Sequence, residues 1–520
     1  MNITQMGVDR LRAPLDASAL AKDLYLETEV VVIGSGAGGL VAAEALAKAG
    51  ILTLLVEEGD WVGPQDFHML ESEAYPRLYQ ESASRKTADK AIKILQGKGV
   101  GGSTLVNWAS CFRPPQTVLD YWRTELGITG TEALAAPLDR LEKRLNVNAW
   151  DNANANNQKL EEGCQKLGYR WGVIKRNVAG CLDLGYCGMG CPLGAKQDLA
   201  RTLLPDFLAA KGKLLYRAKA LKLVEKGGQI DELLAQAVEG SGLGPAQIRI
   251  KAQVYVCAAG AISGPGLMLA SHLPDPHNQL GRRTFLHPVN ISGAFFSEPI
   301  DAFAGAPQSR YSDHFINAAP LGFKLEVPPV HPILAATTLD GFGPEFRAKM
   351  ERFNHLQVML ALHKDGFHAD APGGQVRLND YGRPVLDYPI TPTLWESFFA
   401  AYEAMGEIQF AAGAQAVLPI HEQAKTYKTM GELKTGLAGL ERAPLMARLA
   451  SAHVMGGCAL SPRPETGVIN LDGRHHQLEN LWVADGSVLP TSLGVNPQMT
   501  VFALATKIAD ALAKELRPSV

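Results

Sequence analysis

The stretch Glu27–Gly50, ETEVVVIGSGAGGLVAAEALAKAG, constrains the fold more than any other part of the chain. Its apolar run VVVI is a strand buried on both faces, and the alanine-rich segment that follows is a helix. Between them Gly34, Gly36 and Gly39 form a G-x-G-x-x-G turn in which each glycine has its own task. Gly34 permits the tight turn, Gly36 lets a pyrophosphate approach the backbone, and Gly39 lets helix and strand pack closely. The next strand, ILTLLVEEG, ends on Glu57, about 20 residues further on, where an acidic side chain binds an adenosine ribose. Glu58 is the adjacent alternative. Such a unit specifies an α/β, Rossmann-type dinucleotide-binding domain.

A chain of 520 residues is too long for one small core, and two or three interleaved domains are expected. Apolar residues at 46% and charged residues at 20% describe an ordinary globular composition. The net charge of −3 offers no electrostatic case for nucleic acid or an anionic membrane. No apolar run is long enough to span a bilayer. The N-terminal text lacks the apolar core of a signal peptide, and seven cysteines, an odd number, suit reduced thiols. Cytoplasm is the expected compartment.

Three further stretches carry chemistry. The run Gly97–Asn107, GKGVGGSTLVN, is a second glycine-rich loop in which Gly101, Gly102 and Ser103 expose backbone N–H groups suited to a pyrophosphate or a flavin edge. Near the C-terminus, His453 precedes the short strand NLWVADGS, which ends on Asp485 and Gly486. There follows SLGVNPQMT, in which Asn496 is expected to cap a helix and Pro497 to occupy its first position. That helix is apolar at Val501, Leu504, Ala505, Ile508 and Leu512, and its N-terminus favours negative charge. The third stretch holds Cys181, Cys187 and Cys191 among glycines. Three thiolates can hold an iron–sulfur cluster or zinc, but no fourth ligand lies close in sequence, so packed thiols covering the cofactor are the preferred reading and no metal is expected.

Together the H-x-x-G-G-C, V-x-D-G-S and G-x-N-P-x-x-T run resembles the C-terminal signature of the glucose–methanol–choline (GMC) flavin oxidoreductases. The loop at 97–107 resembles that family's first signature, AAGAISGPG resembles its second, and LVEEG matches its L-E-x-G pattern through Glu57. The resemblance covers nearly the whole chain and is similar in text to long-chain alcohol oxidases, with the cholesterol oxidase type next. It implies FAD, with Asn107 in the cofactor loop, Ala220 at the adenine, and Asp485 and Gly486 at the ribityl or pyrophosphate part. It also implies that His453 is the base for an alcohol, that Asn496 bonds the substrate oxygen, and that hydride passes to flavin N5. Some relatives attach the flavin through a histidine where Val106 stands here, so noncovalent FAD is expected. His287, in the sequence LHPV, either faces the substrate or is structural.

The resulting division is an N-terminal surface arm (1–26), three parts of the FAD-binding domain (27–115, 200–290, 450–520), a helical and cysteine-containing cover (116–199), and an α+β substrate domain (291–449). The expected activity is oxidation of an apolar primary or secondary alcohol, with oxygen, a quinone or a protein carrier as electron acceptor. A lyase or photodecarboxylase on the same scaffold, or a cluster-containing quinone-linked dehydrogenase, are the alternatives.

Overall fold

The computed structural model describes residues 4–518. Its larger sheet is built on the strand Leu24–Ile33, whose VVVI run is buried and pairs in parallel with both Thr53–Val56 and Gly242–Cys257. The strand order is Ala218–Lys226, Gln229–Glu239, Gly242–Cys257, Leu24–Ile33, Thr53–Val56, Lys213–Tyr216, Leu15–Asp16, with Leu481–Val483 added in parallel to Gly242–Cys257. Helices Ala37–Lys48 and Gln498–Leu516 pack against one another on this sheet. The parallel strands end together, and there the glycine turn after Ile33, the carboxylates after Val56 and Asp485 after Val483 converge, as is usual for ligand sites in such sheets.

The first residues depart from the expected surface arm. Thr4–Gly7 pairs in parallel with residues 24–27, and Leu15–Asp16 pairs with Leu215–Tyr216 at the sheet edge. Val8 and Ala17 are fully buried. The segment is short on apolar text, yet it closes two open sheet positions, which supply hydrogen-bond partners that sequence periodicity does not reveal.

The second lobe holds an eight-stranded sheet centred on Val289–Phe295 and Leu356–His363, which run antiparallel over their whole length. Phe323–Glu326 adds to one side and Ala416–Pro419 to the other, while the helix Pro392–Ala411 covers one face, as the alternation of strand and helix text predicts. Ile92–Ile94 and Gly172–Val173 also join this sheet, so the lobe draws on chain outside 291–449. A cavity of about 1700 Å³ lies between its inner face and the ends of the parallel strands. That exceeds the usual range of ~300–1,000 Å³ for a single small molecule.

Candidate active site

The dinucleotide half of the cavity is shaped by glycines that nothing larger can replace. Gly34 has φ +101°, the left-handed region open to glycine, and its carbonyl lies 1.9 Å from where a Cβ on Gly39 would stand. Gly36, by contrast, faces open space: an added Cβ would meet only the Cα of Gly102, at 4.0 Å. Gly36 also begins the helix Ala37–Lys48 with no side chain capping it, so the first N–H groups are free for an anion. Gly34, Gly36, Glu57, Gly102, Ser103, Asn107, Ala220, Asp485, Gly486 and Pro497 all line the cavity. Gly39 and Gly101 do not: Gly39 sits behind the turn, and Gly101 donates its N–H to Ser35 Oγ at 3.1 Å.

Glu57 is buried and its carboxylate is already engaged. It accepts Ser35 N–H at 3.0 Å, Ser35 O–H at 2.6 Å and Gly59 N–H at 2.9 Å. Burial is the largest influence on it and raises its pKa, against the lowering effect of these bonds. Asp485 is held likewise by Ser487 N–H and Gly260 N–H, at 2.8 and 2.7 Å. A cradle of backbone N–H groups, an uncapped helix start and a room-sized gap at Gly36 fit the pyrophosphate of a dinucleotide.

The substrate half has a polar floor and apolar walls. Val289, Ile291, Val358, Leu360, Leu362 and Ile420 form walls. On the floor, His453 Nε2 lies 3.4 Å from Asn496 Nδ2. The structure therefore brings the two expected residues together, although 43 positions separate them. Asn496 does not cap the helix as its sequence suggests. The helix runs Gln498–Leu516 from Pro497 without a side-chain cap, and the Asn496 amide turns into the cavity instead. There its Nδ2 donates to Glu326 Oε2 at 3.2 Å and its Oδ1 accepts from Lys324 Nζ at 3.4 Å.

Lys324 and Glu326 escaped the sequence reading. They form a buried ion pair of 2.8 Å on the strand Phe323–Glu326, with Gln308 Nε2 donating to the same carboxylate at 2.8 Å. Lys324 also lies over the Phe112 ring, 3.1 Å from its centroid. Two charges two positions apart in the apolar text LGFKLEVPPV share one face of a strand, and that pattern was the available signal.

His287 is buried under His453. Its Nε2 accepts the backbone N–H groups of Leu493 and Gly494 at 3.1 and 2.8 Å, and its Nδ1 lies 3.4 Å from His453 Nδ1. Burial brings His453 down to about 4, with Glu326 raising and Lys324 lowering it further, so the ring is neutral at ordinary pH.

The cysteine segment backs the glycine loop. Buried Lys196 donates to the carbonyls of Leu105, Asn107 and Cys187 at 2.6, 3.0 and 2.9 Å, tying the turn at Cys187–Met189 to the loop at 97–107. Arg176 Nη2 donates to Cys187 Sγ at 3.4 Å, and Cys181, Cys187 and Cys191 border one narrow crevice. Among the described residues no group of three His, Cys, Asp or Glu side chains is placed to hold a metal ion. Nor is any described helix long and apolar enough to cross a membrane.

A Rossmann-type sheet whose parallel strands open on a large cavity is the architecture of a dinucleotide-binding protein. The family comparisons make this specific. The GMC oxidoreductase models match residues 75–289 and 370–505, and a model for an FAD binding domain matches residues 29–65. An uncharacterised GMC-type oxidoreductase of Mycobacterium tuberculosis is 30% identical over 93% of this chain and 75% of its own. The long-chain-alcohol oxidase FAO1 of Arabidopsis thaliana is 28% identical over 95% of this chain and 68% of its own. Pyridoxine 4-oxidase of Mesorbium loti has the same fold, with a TM-score of 0.69 at 16% identity over 93% of this chain and 98% of that one. The chain belongs to the GMC oxidoreductase family: it is a flavoprotein that binds FAD and acts on CH–OH donors.

Proposed function

We propose that this enzyme oxidises an apolar alcohol, primary or secondary, to the aldehyde or ketone. The observation that supports this most directly is the paired His453 and Asn496 floor beneath walls of Val289, Ile291, Leu360 and Leu362, where the cation bonded to Asn496, Lys324, is itself paired with Glu326. Similarity to long-chain-alcohol oxidases over nearly the whole chain favours an extended aliphatic alcohol within that class. FAD, when bound, supplies the acceptor for the α-hydride. Gly36 and the start of the helix Ala37–Lys48 would hold its pyrophosphate, Glu57 its ribose, and the uncapped start of the helix Gln498–Leu516 would favour negative charge on the reduced ring. His453 and Asn496 would meet the hydroxyl, and the sequence casts His453 as the residue that takes its proton. Noncovalent attachment is supported by Val106, which lines the cavity with a side chain unable to form a flavin bond.

An anaerobic panel of alcohols of increasing chain length tests this. Bleaching of the flavin band by aliphatic alcohols is expected, with reoxidation by air or by a quinone identifying the acceptor. A flavin that no alcohol bleaches would instead point to the lyase or photodecarboxylase alternatives.

A further inference from the structure

We infer that His287 is a positioning residue that holds His453 in the tautomer protonated at Nε2, so that His453 and Asn496 present two N–H groups to the substrate oxygen. The inference deepens the alcohol-oxidation reading and rests on it.

Two backbone N–H groups, of Leu493 and Gly494, point at His287 Nε2, so that nitrogen must offer its lone pair. A neutral imidazole has one proton, and for His287 it then sits on Nδ1. Neutrality is secured by the surroundings: the ring is buried and faces His453, Lys324, His363 and Lys364, with no carboxylate among these neighbours. Asp365 stands close by, but it accepts the backbone N–H of His287 and of Leu286, at 3.2 and 2.9 Å, and the O–H of Tyr388 at 2.8 Å. Those bonds hold the His287 backbone at φ +43°, an unusual conformation for a residue other than glycine.

With its proton on Nδ1, His287 donates towards His453 Nδ1, 3.4 Å away. His453 is thereby left with its own proton on Nε2, which faces the cavity. Asn496 is fixed as well, because Lys324 takes its carbonyl end and Glu326 one of its amide hydrogens, leaving the second hydrogen on the side of His453. The two nitrogens, 3.4 Å apart, are then both donors with no acceptor between them. An oxygen about 2.9 Å from each satisfies both. In this tautomer the free lone pair of His453 is turned to His287, so the ring holds the hydroxyl oxygen and takes no proton from it at Nε2. The hydroxyl proton, which must leave as the hydride does, has as its acceptor the carboxylate of Glu326, bonded to Asn496 and lining the same cavity. This revises the role of base that the sequence suggests for His453.

The direct test uses ¹⁵N-histidine-labelled holoenzyme and two-bond ¹H–¹⁵N correlation, with His453 assigned by its disappearance in His453→Gln. An Nε2-protonated pattern is expected. An Nδ1-protonated pattern overturns the inference whether or not any alcohol is turned over, which separates its failure from that of the alcohol reading. Anaerobic stopped-flow reduction supplies the second readout. His287→Asn keeps an amide N–H near the Nδ1 position, and His287→Gln keeps only the acceptor for Leu493 and Gly494. The expected order is a small loss in His287→Asn, within about threefold, and a loss of at least ~10-fold in His287→Gln, with a changed pH profile. His453→Gln, which restores a donor at Nε2, should reduce faster than His453→Ala, itself slower by ~10²–10³. A reversed order of the His287 variants, equal loss in both, or no gain of His453→Gln over His453→Ala would overturn it.

Discussion

At the scale of single residues, Gly36 and Glu57 separate folding from cofactor binding. A Cβ on Gly36 meets nothing closer than 4.0 Å, so Gly36→Val should fold normally and fill the space of the pyrophosphate. The expected result is a protein with wild-type circular dichroism and thermal transition in its cofactor-free form, but with no flavin absorbance after purification. Glu57→Ala should lose flavin too and also destabilise the fold, because Ser35 and Gly59 N–H groups are left without their acceptor, at about 1–3 kcal/mol. Gly36, Glu57, His453 and Asn496, which line one cavity, stand out as candidates in the sequence because each sits in a short run with a fixed chemical purpose. Lys324 and Glu326 do not, since neither belongs to a run and their partner, Asn496, lies 170 or more positions away. Only the capping expected of Asn496 fails: a side chain that can cap a helix does so only if no better partner is near, and the ion pair is the better partner.

Among the elements, the cysteine turn and the glycine loop are joined through one side chain. Lys196 is a buried cation satisfied by three carbonyls, with burial lowering its pKa, and no carboxylate bonds to it. Lys196→Met should therefore leave those carbonyls unmatched and free the loop at 97–107. A loss of roughly 2–3 kcal/mol in denaturant unfolding is expected, together with weaker flavin retention. Full stability with lost flavin would show instead that Lys196 serves the cofactor alone. In the sequence the strands Leu24–Ile33 and Thr53–Val56 and the helix after Gly36 stood out, because buried β-branched runs and glycine turns are local signals. The pairing of Thr4–Gly7 and the recruitment of Ile92–Ile94 to the second sheet are long-range, and short strands of mixed polarity leave no period to read.

The whole molecule buries several histidines in neutral form, and this sets its response to acid. Burial lowers His453 and His475 to about 4 and His363 to about 3, from an ordinary value of 6.5. As pH falls below 6.5 the unfolded chain takes up these protons before the folded one does, so the stability present at neutral pH is lost progressively towards pH 4. Asp365 works the other way: burial raises it from 3.8 to about 6, so the folded chain gains its proton first between those values and recovers stability there. Glu57, Asp198 and Asp485, raised by burial, act with Asp365, while His287, His331 and His476, lowered by burial, act with the three histidines. Each group acts at about 1.4 kcal/mol per pH unit where it is fully effective, and the direction expected is a net loss with acid. Denaturant unfolding at pH 7, 6 and 5 should show stability falling with acid, with flavin release following the same curve. His363→Phe should shallow that slope, because the ring is bonded only to Ser397 and Asn290, remote from the cofactor loops. An acid slope that His363→Phe leaves unchanged would mean that this ring takes up its proton in the folded protein as readily as in the unfolded chain.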